Sequence, residues 1–115
     1  NKKNLRINLH SSNLAKYHDM IIFQRKNTYI KPHKHLSGGE TIHIIKGKLE
    51  VILFDKVGKI KAKKLMDNKN NFIYRIPHFY YHTYKILSNI AVYHEDKKGP
   101  FIKNKPGTTI FAPWV

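Results

Sequence analysis

Three histidines and one glutamate in this chain are placed so that they could share a metal ion. The segment Pro32-His33-Lys34-His35-Leu36-Ser37-Gly38-Gly39-Glu40 puts two imidazoles one residue apart. On a β-strand such residues point to the same side, because side chains alternate faces with a period of two. Glu40 follows a Gly-Gly turn and can fold back toward them, and His82 is a fourth candidate further along the chain. Converging nitrogen and oxygen donors suit a borderline divalent ion. Three histidines with one carboxylate fit Fe(II), Mn(II), Ni(II) or Zn(II) and do not choose among them. Open positions on such an ion would be filled by water, and a substrate oxygen could bind there and be polarised.

Composition narrows the chemistry further. The chain has 115 residues, enough for one domain with one core. It has no cysteine, which removes disulfides and thiolate ligands and leaves any metal to His, Asp, Glu or water. No apolar run approaches the roughly 20 residues of a membrane helix. No secretory pattern is seen at the N-terminus, so the expected location is the cytoplasm without membrane association. The net charge of +15 raises the question of a nucleic-acid partner. However, the cations are 19 Lys against 3 Arg, scattered along the chain, whereas base and phosphate readout favours arginine forks. Lys, Asn and Ile together make 44 residues, a global usage bias that accounts for most of the charge as a solvated lysine surface. A nucleic-acid partner is therefore not expected, while attraction of a phosphorylated small molecule stays open.

The elements that must position these side chains read as short strands. Leu5–Leu9 alternates, with Leu5, Ile7 and Leu9 on one face and Arg6, Asn8 and His10 on the other. Further strands are expected over Asp19–Lys26, Thr28–His35, Thr41–Lys46, Lys48–Phe54, Lys59–Met66, Phe72–Ile76, Tyr81–Leu87 and Ile90–His94. Gly47 suggests a bulge or tight hairpin, Asp55–Gly58 a turn, and Ser11–Tyr17 one short capped helix. Lys97–Gly107 reads as a covering loop, and the apolar tail Thr109–Trp114 as a segment packed back on the body. Many short strands at about 8–12-residue spacing imply an all-β sandwich or jelly-roll barrel of antiparallel strands. Such a barrel has an interior able to hold a ligand or metal.

The motif spacing resembles that of the cupin superfamily. Its first motif, a glycine, His-x-His, a glutamate and a closing glycine, is matched by His33, His35, Glu40 and Gly47. Its second is matched by Pro77 and His82. The departures are Asn27 and Asn71 at the opening glycines, Phe79 at the central glycine and Ile86 at the final asparagine. Asparagine tolerates the left-handed conformation, so the first two are mild. Phe79 implies a different turn before His82 and could set a ring at the pocket mouth.

Arg6–His10, Tyr29–His35, Glu95–Phe101 and Phe111–Trp114 are, in addition, similar to the WbuC family of cupin-fold metalloproteins. That family is associated with bacterial surface-polysaccharide (O-antigen) gene clusters. The resemblance implies a single cupin domain over residues 1–115. Within it, N-terminal strands occupy 1–26, the two motifs 27–95 and a covering tail 96–115. It also implies a metal held by His33, His35, Glu40 and His82, and a homodimer, since cupins commonly pair.

The function expected is that of a metal-dependent enzyme acting on a sugar or nucleotide-sugar, by isomerisation, epimerisation or an oxygen-dependent step. The alternative is a non-catalytic module that binds a sugar or other small ligand. Proton transfer would fall to His10 or Tyr84. Arg6, Asn8, Arg25 and Arg75 are candidate substrate contacts, although Arg6, Asn8 and His10 could equally anchor the N-terminal strand or a dimer partner. His43, His78 and His94 read as outer-face, turn and strand-end residues, and His18 carries no signal.

Overall fold

Alternating apolar and polar residues fold into two antiparallel sheets that face each other across one core. The computed structural model describes residues 4–35, 38–100 and 109–115. In chain order the strands are β1 (Leu5–Asn8), β2 (Tyr17–Arg25), β3 (His33–His35), β4 (Glu40–Lys46), β5 (Lys48–Phe54), β6 (Ile60–Asp67), β7 (Ile73–Ile76), β8 (Tyr81–Ile86), β9 (Ile90–Lys98) and β10 (Thr109–Phe111). One sheet runs β1-β2-β9-β4-β7 and the other β10-β3-β8-β5-β6. This is the jelly-roll architecture expected from the strand spacing. Period-two alternation sends Met20 and Ile22, Ile42 and Ile44, and Leu49, Val51 and Leu53 inward, where each is 3% exposed or less. Burying such a side chain contributes about 1.5–3 kcal/mol. The β6 edge carries Lys61, Lys63 and Lys64 to solvent, and those charges discourage pairing with another strand.

Several expectations need correction. No α-helix is found among the described residues. Ser11–Tyr17 instead forms a tight turn in which Ala15 N–H donates to Ser12 O at 3.1 Å and Leu14 N–H to Ser12 Oγ at 3.2 Å. The serine caps as expected, but too few residues follow before β2 begins. Only His33–His35 of the Thr28–His35 run is strand. Both β2 and β9 run longer than expected, the first starting at Tyr17 and the second reaching Lys98. Of the expected covering loop, residues 101–108 lie outside the described residues.

Gly47 does not close a hairpin. The strands on either side of it belong to different sheets, β4 pairing with β7 and β9, and β5 with β6 and β8. A register shift between Ile44 and Lys46 supplies the bulge, and Gly47, at φ 86°, turns the chain from one sheet into the other. A Cβ on Gly47 would come within 2.3 Å of Ile90 O. Gly47→Ala is therefore expected to cost about 3 kcal/mol or more, from left-handed strain plus this backbone clash. Chemical denaturation should show the loss, and a midpoint equal to that of the parent would contradict the corner role. The hairpin turn proper is Asp55–Gly58, where Asp55 Oδ1 accepts from Val57 N–H at 3.0 Å and Lys59 N–H at 2.9 Å. The tail packs back as expected, with Trp114 against Phe54 and Tyr81 at ring distances of 5.6 and 5.1 Å. Asn27 takes the left-handed conformation at φ 70°, filling the role of the motif's glycine, whereas Asn71 does not need it.

Candidate metal centre

The donors come from both sheets. His33 and His35 lie on β3, His82 on neighbouring β8 directly opposite His33, and Glu40 opens β4 in the facing sheet. One ligand atom from each of the four lies within 4.8 Å of every other. His35, Glu40 and His82 are 8%, 1% and 2% exposed. Glu40 Oε1 approaches His82 Nε2 at 2.5 Å, and Glu40 Oε2 approaches His35 Nε2 at 3.8 Å.

The hydrogen bonds around the rings fix which nitrogens are free. His33 Nδ1–H donates to Lys31 O at 2.8 Å, and His35 Nδ1 meets Thr109 Oγ1 at 3.2 Å. Those contacts direct Nε2 of both rings inward, as the outer partners of ligating histidines do. Among the described residues, His35 Nε2, His82 Nε2 and Glu40 Oε2 are all buried without a hydrogen-bond partner. Buried polar atoms are rarely left so, and several of them converging is the pattern a bound cation would satisfy. The donor set therefore fits a divalent metal. His82 Nδ1 is also buried and unpartnered, and nothing in the structure accounts for it.

The electrostatics agree with neutral imidazoles. Burial pushes the His35 pKa down to about 2 and the His82 pKa down to about 4, with Lys97 adding to the depression in both. Burial lowers that of His33 as well, with His82 beside it adding to the effect. Rings of this kind are ready to ligate without first losing a proton.

Beneath the donors lies a buried acid pair. Tyr84 O–H reaches Glu40 Oε1 at 3.2 Å and Glu95 Oε2 at 3.4 Å. One phenolic proton cannot serve both at once. Burial first, and then the charges of Glu40 and Glu95, hold the Tyr84 phenol well above its ordinary pKa. Burial, reinforced by Glu40, pushes Glu95 up to about 7, against the pull of Lys97, whose Nζ lies 3.7 Å from Glu95 Oε1.

The remaining candidates fall in different places. Arg6, Asn8 and His10 share a cavity of about 170 Å³ with His18, Lys97 and Thr109. Arg75 lies on β7 and donates to Thr41 Oγ1 at 3.0 Å, away from that cavity. Arg25 ends β2, where its backbone N–H donates to Asn4 Oδ1 at 2.9 Å and its Nε is buried without a partner. Tyr84, 5% exposed, touches Glu40 and not the cavity. His43 packs edge-on against Phe72, His94 pairs with Asp19, and exposed Phe79 packs at a tilt against Tyr80.

Sequence reasoning missed His18, Glu95, Lys97 and Thr109. The signal was present for two of them. Extending β2 one residue upstream puts His18 in phase with Met20 and Ile22, and extending β9 puts Glu95 in phase with Ala91 and Tyr93.

Comparison with known proteins places the fold. Residues 2–66 match a protein-family model described as "Domain of unknown function (DUF6016)". No curated protein matches the chain in sequence. Among solved structures, the capsular polysaccharide assembling protein CapF from Staphylococcus aureus is similar at a TM-score of 0.74 and 11% identity. That match covers 92% of this chain and 31% of CapF. Oxalate oxidase in complex with the substrate analogue glycolate is similar at a TM-score of 0.64 and 17% identity, covering 85% of this chain and 47% of the oxidase. Oxalate decarboxylase from Bacillus subtilis, described with Mn(II) centres, is similar at a TM-score of 0.64 and 13% identity, covering 84% of this chain and 24% of the decarboxylase. This chain spans less than half the length of each. These likenesses show a cupin fold. Among the described residues, no helix is long and apolar enough to cross a membrane.

Proposed function

We propose, for a chain that belongs to the DUF6016 family of domains of unknown function, a metal-dependent role on a small carbohydrate-derived molecule. The setting proposed is bacterial surface-polysaccharide synthesis. The observation that carries the metal is the convergence of His33, His35, Glu40 and His82, with three of their donor atoms buried and unpartnered. The setting is supported by the fold likeness to CapF, a capsular polysaccharide assembling protein, and by the resemblance of the chain's segments to the WbuC family. The Mn(II) centres of the similar decarboxylase make manganese the first ion to try.

A bound divalent ion would supply Lewis acidity, polarising a carbonyl or hydroxyl oxygen. The chain's own residues do the rest. Lys31 O and Thr109 orient the His33 and His35 rings, and Tyr84 steadies Glu40 from below. His10 and His18 are the imidazoles placed in the adjoining cavity, and of the two His10 is the residue proposed to take or give a proton to a ligand there.

The second function, ligand binding without turnover, draws on one observation. Tyr84 is buried beneath Glu40 and does not line the cavity, and the two imidazoles that do, His10 and His18, are each engaged by backbone groups at one nitrogen.

The test is elemental analysis of protein purified without added metal, followed by incubation of the loaded protein with nucleotide-sugars and detection of products by NMR. About one metal per chain with metal-dependent conversion is expected. Thermal stabilisation by a sugar without conversion would select the binding function. Absence of metal after purification, together with no stabilisation by Mn(II), Fe(II), Ni(II) or Zn(II), would refute the proposal.

A further inference from the structure

We infer that the cavity beside the metal centre is an oxyanion subsite, and that the ligand of this site carries a carboxylate or phosphate seated on Arg6 and Lys97. This deepens the proposed function and rests on it for the location of the reacting end.

The cavity adjoins the donors through two shared residues. Thr109 lines it and also contacts His35 Nδ1. Lys97 lines it, and its charge is felt at His33, His35 and His82. The polar lining is of one kind. Arg6 and Lys97 bring positive charge, His10 and His18 bring imidazoles, Asn8 and Asn13 bring amides, and among the described residues no carboxylate lines the space.

Arg6 stands on edge strand β1, and among the described residues no carboxylate pairs with it. Its charge nonetheless reaches inward and acts on Tyr93 in the core. The two rings form a rigid wall, stacked at 4.1 Å with 9° between their planes. Asp19 N–H holds His10 Nδ1 at 3.1 Å, and His18 Nε2 is held by Asn13 O at 3.0 Å. A preformed concave site with one cation, Arg6, free of any carboxylate among the described residues, and a second, Lys97, only partly offset by Glu95 at 3.7 Å, selects an anion. At about 170 Å³ it fits the anionic end of a small molecule, whose other end then points to the donors.

Carboxylate and phosphate share this chemistry, and the experiment separates them. Isothermal titration would use inorganic phosphate in one arm and lactate in the other, on protein assayed for metal and both loaded and stripped. At least one anion is expected to bind. Arg6→Gln, which removes an exposed side chain and so spares the fold, should weaken binding about tenfold. Arg6→Gln with Lys97→Gln should abolish it without lowering metal content. Lys61→Gln with Lys63→Gln removes the same two charges from the far β6 edge and should change nothing. The inference is overturned if neither anion binds, if Arg6→Gln binds as the parent does, or if the β6 pair weakens binding equally. A chain that binds anions through Arg6 yet never holds metal would overturn the proposed function and leave the oxyanion subsite standing.

Discussion

Replacing His82 with leucine is expected to abolish stabilisation by divalent metal while leaving the metal-free protein at least as stable as the parent. The two effects have opposite signs because His82 is only 2% exposed and, among the described residues, neither ring nitrogen makes a hydrogen bond, Nε2 meeting only Glu40 Oε1, which Tyr84 O–H also reaches. An unpartnered buried polar atom costs about 1–3 kcal/mol. Leucine has similar bulk and no polar atom, so it relieves that cost while still filling space beside His33 and Tyr84. It also deletes one of four donors. Losing an outer partner of a metal ligand lowers affinity by roughly 10–100-fold, and losing the ligand itself should do more. Ligand binding stabilises the native state by about 2.7 kcal/mol at a concentration a hundred times Kd. Thermal melts with and without Mn(II) should therefore show a clear upward shift for the parent and none for His82→Leu. If the variant melts lower than the parent by the same margin with and without metal, His82 is a packing residue and the centre is misassigned.

The donor spacing was legible because it depends on local geometry alone. Two histidines with period two, a glycine turn and a glutamate reduce to strand geometry plus one reversal, and His82 was carried by motif spacing. The jelly roll followed from many short alternating strands. What surrounds the donors was less legible. β2 and β9 were cut short where polar residues begin, at His18 and at Glu95, because inward-facing polar side chains look like strand ends. In both places the alternation continues and the inward residue is polar: His18 lines the cavity, and Glu95 meets Tyr84 beneath Glu40. Thr109 could not have been found from spacing, since its link to His35 spans 74 residues and depends on β10 pairing with β3. Gly47 suggested a bulge or a tight hairpin, and the chain has the bulge but changes sheet instead of returning. A positive φ marks a reversal but does not say whether the next strand returns to the same sheet.

Acid should weaken the metal-free protein first through its histidines. His35 and His82 have pKa values lowered by burial to about 2 and about 4, and that of His33 is lowered too. Below the ordinary value of 6.5 the unfolded chain therefore binds protons that the folded chain refuses. Folding stability from these groups is complete above that value and is lost as pH falls below it. The slope is about 1.4 kcal/mol per pH unit for each proton. Glu95 works in the opposite direction. Its pKa is raised to about 7 from 4.5, so the folded state holds a proton the unfolded chain gives up, and that contribution is lost as pH rises through this range. Between about 4.5 and 6.5 one carboxyl offsets one imidazole, and the remaining histidines decide the sign. Denaturation midpoints of the metal-free protein should fall steadily from pH 6.5 to 5, and His82→Leu should flatten the decline by about one proton. Metal release should follow the same window, because protons and metal compete for the same nitrogens. A midpoint that stays level or rises on acidification over this range would show that the imidazoles are not held neutral by burial, and with it would go the claim that they stand ready to ligate.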